Sequence, residues 1–263
     1  MDQQTLIALS RPLGTLALQA RHSEAPSRST LGGSPSLPLG QAWPAGNHPL
    51  SFLAQLDLAT IQAKFPIDWL PKDGQLLFFY DVESEAWGFD PADANCWQVA
   101  YIPEGTPTET LSAPEGAETF EPAFLEFREV KTFAEDDDLL PNGVEIDEDT
   151  LDELRDAART HDFGGEPLHQ IGGKHYAVQN EDMATECQLA SGGVYCGNSE
   201  GYSSDLAKSL FRGAKDWRLL FQLDSDDHAG WMWGDSGILY FWIREQDARA
   251  GDFSKVWCCL QCC

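Results

Sequence analysis

The chain has 263 residues, 42% of them hydrophobic, with nine Trp and fourteen Phe; that much apolar surface offsets the entropy lost on folding and excludes a disordered chain. Seventeen Lys and Arg face 43 Asp and Glu, and the net charge of −26 repels nucleic acid and anionic membranes while favouring a basic protein or a cation as partner. The first nine residues lack a basic n-region, no apolar run reaches the roughly 18 residues of a membrane span, and seven cysteines suit no complete disulfide framework, so a cytoplasmic protein with reduced thiols is expected.

In chain order, Thr15–Ala20 reads as a strand, and residues 22–50, rich in Pro, Gly and Ser, as a loop. Phe52–Asp57 is an apolar strand ending in Gln55-Leu56-Asp57. Leu58–Phe65 is predicted as a short helix stopped by Pro66, because proline disfavours helical geometry in the residue before it. Gly74–Tyr80 is an aromatic strand, Val99–Ile102 a further one, and Phe124–Val130 alternates as a half-buried strand. Residues 115–156 hold sixteen Asp or Glu and three Lys or Arg, half the charge of the chain. This stretch supplies a candidate acidic partner surface: Glu135, Asp136, Asp137, Asp138, Glu145, Asp147, Glu148 and Asp149. Part of it has a structural explanation, since Asp147-Glu148-Asp149 precede Leu151, Leu154 and Ala158 at helical spacing and so sit at the positive end of a helix. Asp205–Phe211 is predicted as a second short helix.

The order of these elements recurs. Leu31-Gly32-Gly33 is echoed by Ile171-Gly172-Gly173, and Phe52–Asp57 by Leu219–Asp224 with its own Gln222-Leu223-Asp224. Gly74–Tyr80 is likewise echoed by Gly237–Ile243. The expected fold is therefore α+β and internally duplicated, with predominantly antiparallel β-sheet halves and short helices. Its parts are an N-terminal half over 1–130, an acidic helical connection over 131–160 and a C-terminal half over 161–263, the halves forming one unit. Equivalent Gln-Leu-Asp strands would pair about a pseudo-two-fold axis. That would place Gln55, Asp57, Gln222, Asp224, Trp233 and Asp235 along a cleft between the halves, where two close Asp could couple for acid–base work. The same residues also suit structural tasks: a buried amide must find partners, and a Trp packs a strand end while an Asp caps the turn.

Other motifs lack the context their chemistry needs. Gly197-Asn198-Ser199-Glu200-Gly201 matches a nucleophile elbow, but the glycine-rich residues before it make a poor central strand. Asp224–Gly230 resembles the start of a calcium loop, with Ala229 where the turn requires Gly. Cys258, Cys259, Cys262 and Cys263 could face a soft metal, yet on a strand successive side chains point to opposite faces. The six histidines show no metal-ligand spacing, and there is no phosphate-binding or dinucleotide fingerprint, so neither cofactor nor metal is expected.

Leu31-Gly32-Gly33-Ser34-Pro35, Trp43-Pro44, Phe52–Asp57 and Leu70–Leu76, followed by His169–Gly173, Leu220–Asp224 and Trp233–Phe241, resemble the YwqG-like family from about residue 12 to the end. The resemblance implies a bacterial cytosolic α+β protein with duplicated β-rich motifs. It brings no agreed catalytic residues, and relatives near toxin and immunity genes hint at an inhibitor role. Two functions follow: a non-enzymatic, immunity-type protein binding a basic, toxin-like partner, or a small-molecule sensor or enzyme with a cleft between the halves.

Overall fold

Two long strands form the centre of the fold. The computed structural model describes residues 3–133 and 167–263, with 140, 144, 146, 147, 149–151, 153, 154, 157 and 163–165 between them. Strand β1 (Thr15–Ser23) pairs antiparallel with β8 (Ala123–Thr132), from Thr15 opposite Thr132 to Ser23 opposite Phe124. The alternating sequence of β8 yields alternating burial, because one of its faces meets the core.

From this pair one ten-stranded sheet extends both ways. Beyond β8 lie β2 (Thr30–Leu31), β4 (Ser51–Asp57), β5 (Gln75–Tyr80) and β6 (Trp97–Ile102); beyond β1 lie β9 (Gln170–Ile171), β10 (Trp217–Asp224), β11 (Ile238–Arg244) and β12 (Trp257–Gln261). Neighbouring strands are antiparallel throughout. Each wing runs from a two-residue strand through the Gln-Leu-Asp strand to an aromatic strand and an outer strand. The short strands stop where Gly32-Gly33 and Gly172-Gly173 adopt positive φ, from 61 to 82°, which side chains rarely allow. The Gln-Leu-Asp strands are not paired with each other, since β2, β8, β1 and β9 separate β4 from β10.

The sheet curls into a nearly closed barrel. A register shift falls at Phe52/Ala54 on one wing and at Leu219/Phe221 on the other, and such bulges bend a sheet. Phe78 on β5 then reaches across the interior to Phe221 and Phe241, with ring centroids 5.1 Å from each. At the seam Trp97 on β6 meets Trp257 on β12 at 4.9 Å and donates Nε1–H to Val256 O at 3.0 Å. No backbone ladder joins β6 to β12 among the described residues. The outer face of β4 to β6 is also covered, since Leu37, Leu50, Phe52, Leu77, Phe79 and Ile102 form a separate cluster. Leu37 comes from the small ladder of β3 (Ser36–Pro38) with β7 (Thr108–Thr110). The segment expected to be a loop thus contributes β2 and β3.

Helices are short: α1 (Gln3–Ser10), α2 (Leu58–Lys64), α3 (Met183–Ala190), α4 (Ser199–Ser203), α5 (Asp205–Leu210) and α6 (Glu245–Arg249). The helices expected after Asp57 and at Asp205 are α2 and α5, each one residue shorter than expected. In the acidic connection Asp147 Oδ1 accepts from Thr150 N at 2.9 Å, and Leu154 is buried. These hydrogen bonds hold Asp147 below its ordinary pKa. Of the proposed acidic surface, Asp147 and Asp149 fall within the description; Glu135, Asp136, Asp137, Asp138, Glu145 and Glu148 lie outside the described residues. Among the described residues no helix is long and apolar enough to cross a membrane.

Candidate functional site

The six residues expected at a cleft fall into two groups whose Gln and Asp bond within their own wing, while Trp233 also packs across the barrel against Tyr80 of β5, with centroids 6.0 Å apart. Gln55 donates to Arg28 O at 2.9 Å, and Asp57 caps α2 by accepting from Thr60 N and Oγ1. Asp57 N in turn donates to Ser29 Oγ at 2.9 Å. On the other wing Gln222 donates to Leu168 O at 2.8 Å and accepts from Tyr176 N, while Asp224 N donates to His169 Nδ1 at 3.0 Å. Burial raises the Asp224 pKa, and the Leu168 N–H bonded to its carboxylate opposes the rise. Trp233 is buried against Trp231, with centroids 5.4 Å apart, and Asp235 is exposed, its carbonyl accepting from Cys263 N. The structure brings Gln222, Asp224 and Trp233 to one end of β10 and β11; Gln55 and Asp57 lie across four intervening strands.

A polar knot that sequence spacing did not reveal lies beside Asp224. Asp226 Oδ2 accepts from His22 Nε2 at 2.6 Å and from His169 Nε2 at 3.0 Å, joining β1, the residue before β9 and the turn after β10. Burial alone would raise the Asp226 pKa, but the hydrogen bonds from His169 and His22 hold the carboxyl well below the usual carboxylate range. The three ligand-type atoms lie within 4.8 Å of one another, a spacing that admits a metal ion. The tautomer of His169 opposes that use. Its Nδ1 faces the Asp224 N–H, so the ring hydrogen sits on Nε2, the atom that would have to coordinate. The knot therefore acts as two donors on one ionised carboxylate. Among the described residues His22 Nδ1 is buried without a partner, and its ring lies 4.1 Å from that of His228.

A different arrangement forms in the connection from β5 to β6. Residues 81–95 contain five acids, Asp81, Glu83, Glu85, Asp90 and Asp93, and no Lys or Arg. Four consecutive carbonyls pin this loop, the first to the end of β5 and the other three to distant parts of the chain: Ala86 O accepts from Tyr80 Oη at 2.9 Å, Trp87 O from Leu260 N at 3.1 Å, Gly88 O from Trp257 Nε1 at 2.7 Å and Phe89 O from Cys196 N at 2.8 Å. Gly88 is needed for this approach, since a Cβ there would lie 2.0 Å from Cys258 O, at φ +84°. With the backbone so held, Trp87 is 38% exposed and Tyr195 42%, and half-buried Phe89 lies between them at 6.5 and 5.7 Å. Glu83 is 71% exposed, and Glu85, two residues before Trp87, takes the left-handed φ of +43° uncommon for a side chain. The result is a rigid aromatic face in acidic surroundings.

Residues 29–262 match the model of a family described as a domain of unknown function, DUF1963. The chain belongs to this family. A search of the curated proteins finds no match.

In this DUF1963 chain the remaining motifs have structural surroundings. Ser199 opens the short helix α4, capped by Asn198, and Gly192–Cys196 forms no strand before it, so the strand–turn–helix context of a nucleophile elbow is missing. Cys258 and Cys259 are buried in β12, and Cys187 Sγ lies 3.5 Å from Cys259 Sγ. Burial pushes the Cys187 and Cys258 thiols up, away from the reactive thiolate.

Proposed function

We propose that this protein is a non-enzymatic binding protein whose face around Trp87 takes up a basic protein partner. The observation that carries the reading is the pinned 81–96 loop, which presents the exposed Trp87 ring beside Tyr195 with the exposed Glu83 and Glu85 within four residues of it, while Asp81 is buried and bonded to His48. Arginine fits such a face in two ways at once: its planar guanidinium stacks on an indole or phenol ring, and its N–H groups pair with carboxylates. Because the loop is anchored before binding, little further ordering opposes association. The net charge of −26 would speed encounter with a cationic partner.

Within DUF1963 we place the chain nearer the YwqG-like proteins on its ordered Leu31–Pro35, Gln-Leu-Asp and Trp233–Phe241 motifs. A cytoplasmic, immunity-type inhibitor of a toxin-like protein follows from that placement. Internal duplication is part of the same reading. It is supported by the matching wings and by the equivalent bonds of Gln55 to Arg28 O and Gln222 to Leu168 O, and of Asp57 N to Ser29 and Asp224 N to His169.

The test is affinity purification of the full chain from its own cells at low salt, beside a Trp87→Ser/Tyr195→Ser variant. A basic protein recovered in stoichiometric amount with the wild type, released as salt shortens the screening length, and lost with the variant is the expected result. Equal recovery with both chains would reject the Trp87 face.

A further inference from the structure

A second face carries the opposite sign. Between the start of β1, the Gly172–His175 turn, the start of β10 and the segment after α2 lies a cavity of about 600 Å³, a size that holds a small molecule. Its walls bring Lys174, Lys215 and Arg218 against one carboxylate, Asp68, in a chain whose acids outnumber its bases 43 to 17. Asp68 bonds Arg249 at 3.0 Å, Arg249 bonds Glu245 at 2.8 Å, and Glu245 bonds Arg218 at 2.8 Å, so these four charges cancel. Lys174 and Lys215 have no carboxylate partner among the described residues, and their charges are the local excess. Trp69 and Trp242 supply flat apolar wall, and the Trp242 indole N–H is buried without an acceptor among the described residues. His175 meets the Trp242 ring edge-on at 5.2 Å; burial lowers its pKa to about 4, so it is neutral near pH 7.

We propose that this cavity binds a small organic anion built on a flat ring, with its carboxylate or phosphate at Lys174 and Lys215 and its ring against the tryptophans. An aromatic acid and a nucleoside monophosphate share that chemistry. The site is independent of the docking face, because no residue of the 81–96 loop lines it.

Titration calorimetry and quenching of tryptophan fluorescence on the full chain would use adenosine monophosphate and indole-3-carboxylate as probes, with adenosine and inorganic phosphate as half-probes. At least one complete probe should bind with Kd below about 1 mM, and whichever is tighter identifies the anion. Lys174→Glu/Lys215→Glu should weaken that binding at least about tenfold without moving the urea midpoint, since both lysines are exposed. Three results would overturn the proposal: no binding of either complete probe at about 1 mM, equal binding to the double variant, or a half-probe binding as tightly as the complete one.

Discussion

Asp226→Asn exchanges one oxygen for an amide nitrogen in the knot that joins β1 to the turn after β10. Wild-type Oδ2 accepts from both imidazoles, and Oδ1 accepts from His228 N at 2.8 Å. An amide has only one acceptor. With its oxygen at the Oδ2 position, its NH₂ confronts the His228 N–H; turned over, it confronts His169, whose Nε2 cannot become an acceptor while Nδ1 receives the Asp224 N–H. At least one buried donor is left unpaired, at about 1–3 kcal/mol, and the lost charge assistance brings the expected destabilisation to about 2–4 kcal/mol. Urea unfolding at pH 7, followed by tryptophan fluorescence, should show this as a lower midpoint at unchanged slope. The pH dependence has a fixed sign. A carboxyl held low in the folded state contributes fully above its unfolded pKa of about 3.9, and the contribution is lost as pH falls through the folded value. On Asp226's account the gap between wild type and variant stays level from neutral pH to about 5 and narrows below about 4. A gap under about 0.5 kcal/mol at pH 7, or one that widens in acid, would refute the reasoning.

Other perturbations test separate parts of the fold. Phe78→Ala empties the barrel interior between Phe221 and Phe241 and should lower unfolding free energy by about 3–5 kcal/mol, whereas Phe124→Ala, 39% exposed, should stay within about 0.5 kcal/mol. Asp57→Ala removes the cap of α2 and should cost about 1 kcal/mol in the same assay, with Asp57→Asn retaining most of it. Gly88→Ala should detach the 81–96 loop from β12, losing roughly 2 kcal/mol from left-handed strain and the Trp257 bond together, and reduce binding at the Trp87 face.

Much of the local structure was legible in the sequence. Pro66 marks the end of α2, the alternation of β8 predicts its burial, and the two Gln-Leu-Asp segments announce strands with matching roles. Pairing was less accessible. Gln-Leu-Asp similarity suggests adjacent strands, but the insertion of β1 and β8 at the centre holds them apart, and strand order depends on contacts far apart in the chain. The same limit hid the polar knot, where His22 and Asp226 stand 204 residues apart. It also hid the Trp87 face. Five acids without a base over residues 81–95 were a readable signal, but the anchoring of that loop requires Trp257, Leu260 and Cys196. The overall charge drew attention to residues 115–156 because the acids are densest there, though density alone does not say which acids stand beside an exposed ring.

The most direct measurement on the central claim is the affinity of the full chain for an arginine-rich decapeptide, compared with lysine-rich and citrulline-containing counterparts, at low salt. Trp87→Ser/Tyr195→Ser leaves the net charge of −26 unchanged and so separates the aromatic face from the bulk field. Arginine should bind more tightly than lysine, citrulline weakly, and the double variant should lose most of the arginine preference. Equal binding of the arginine peptide to wild type and variant would mean that diffuse charge alone attracts cations, and would contradict a docking face at Trp87.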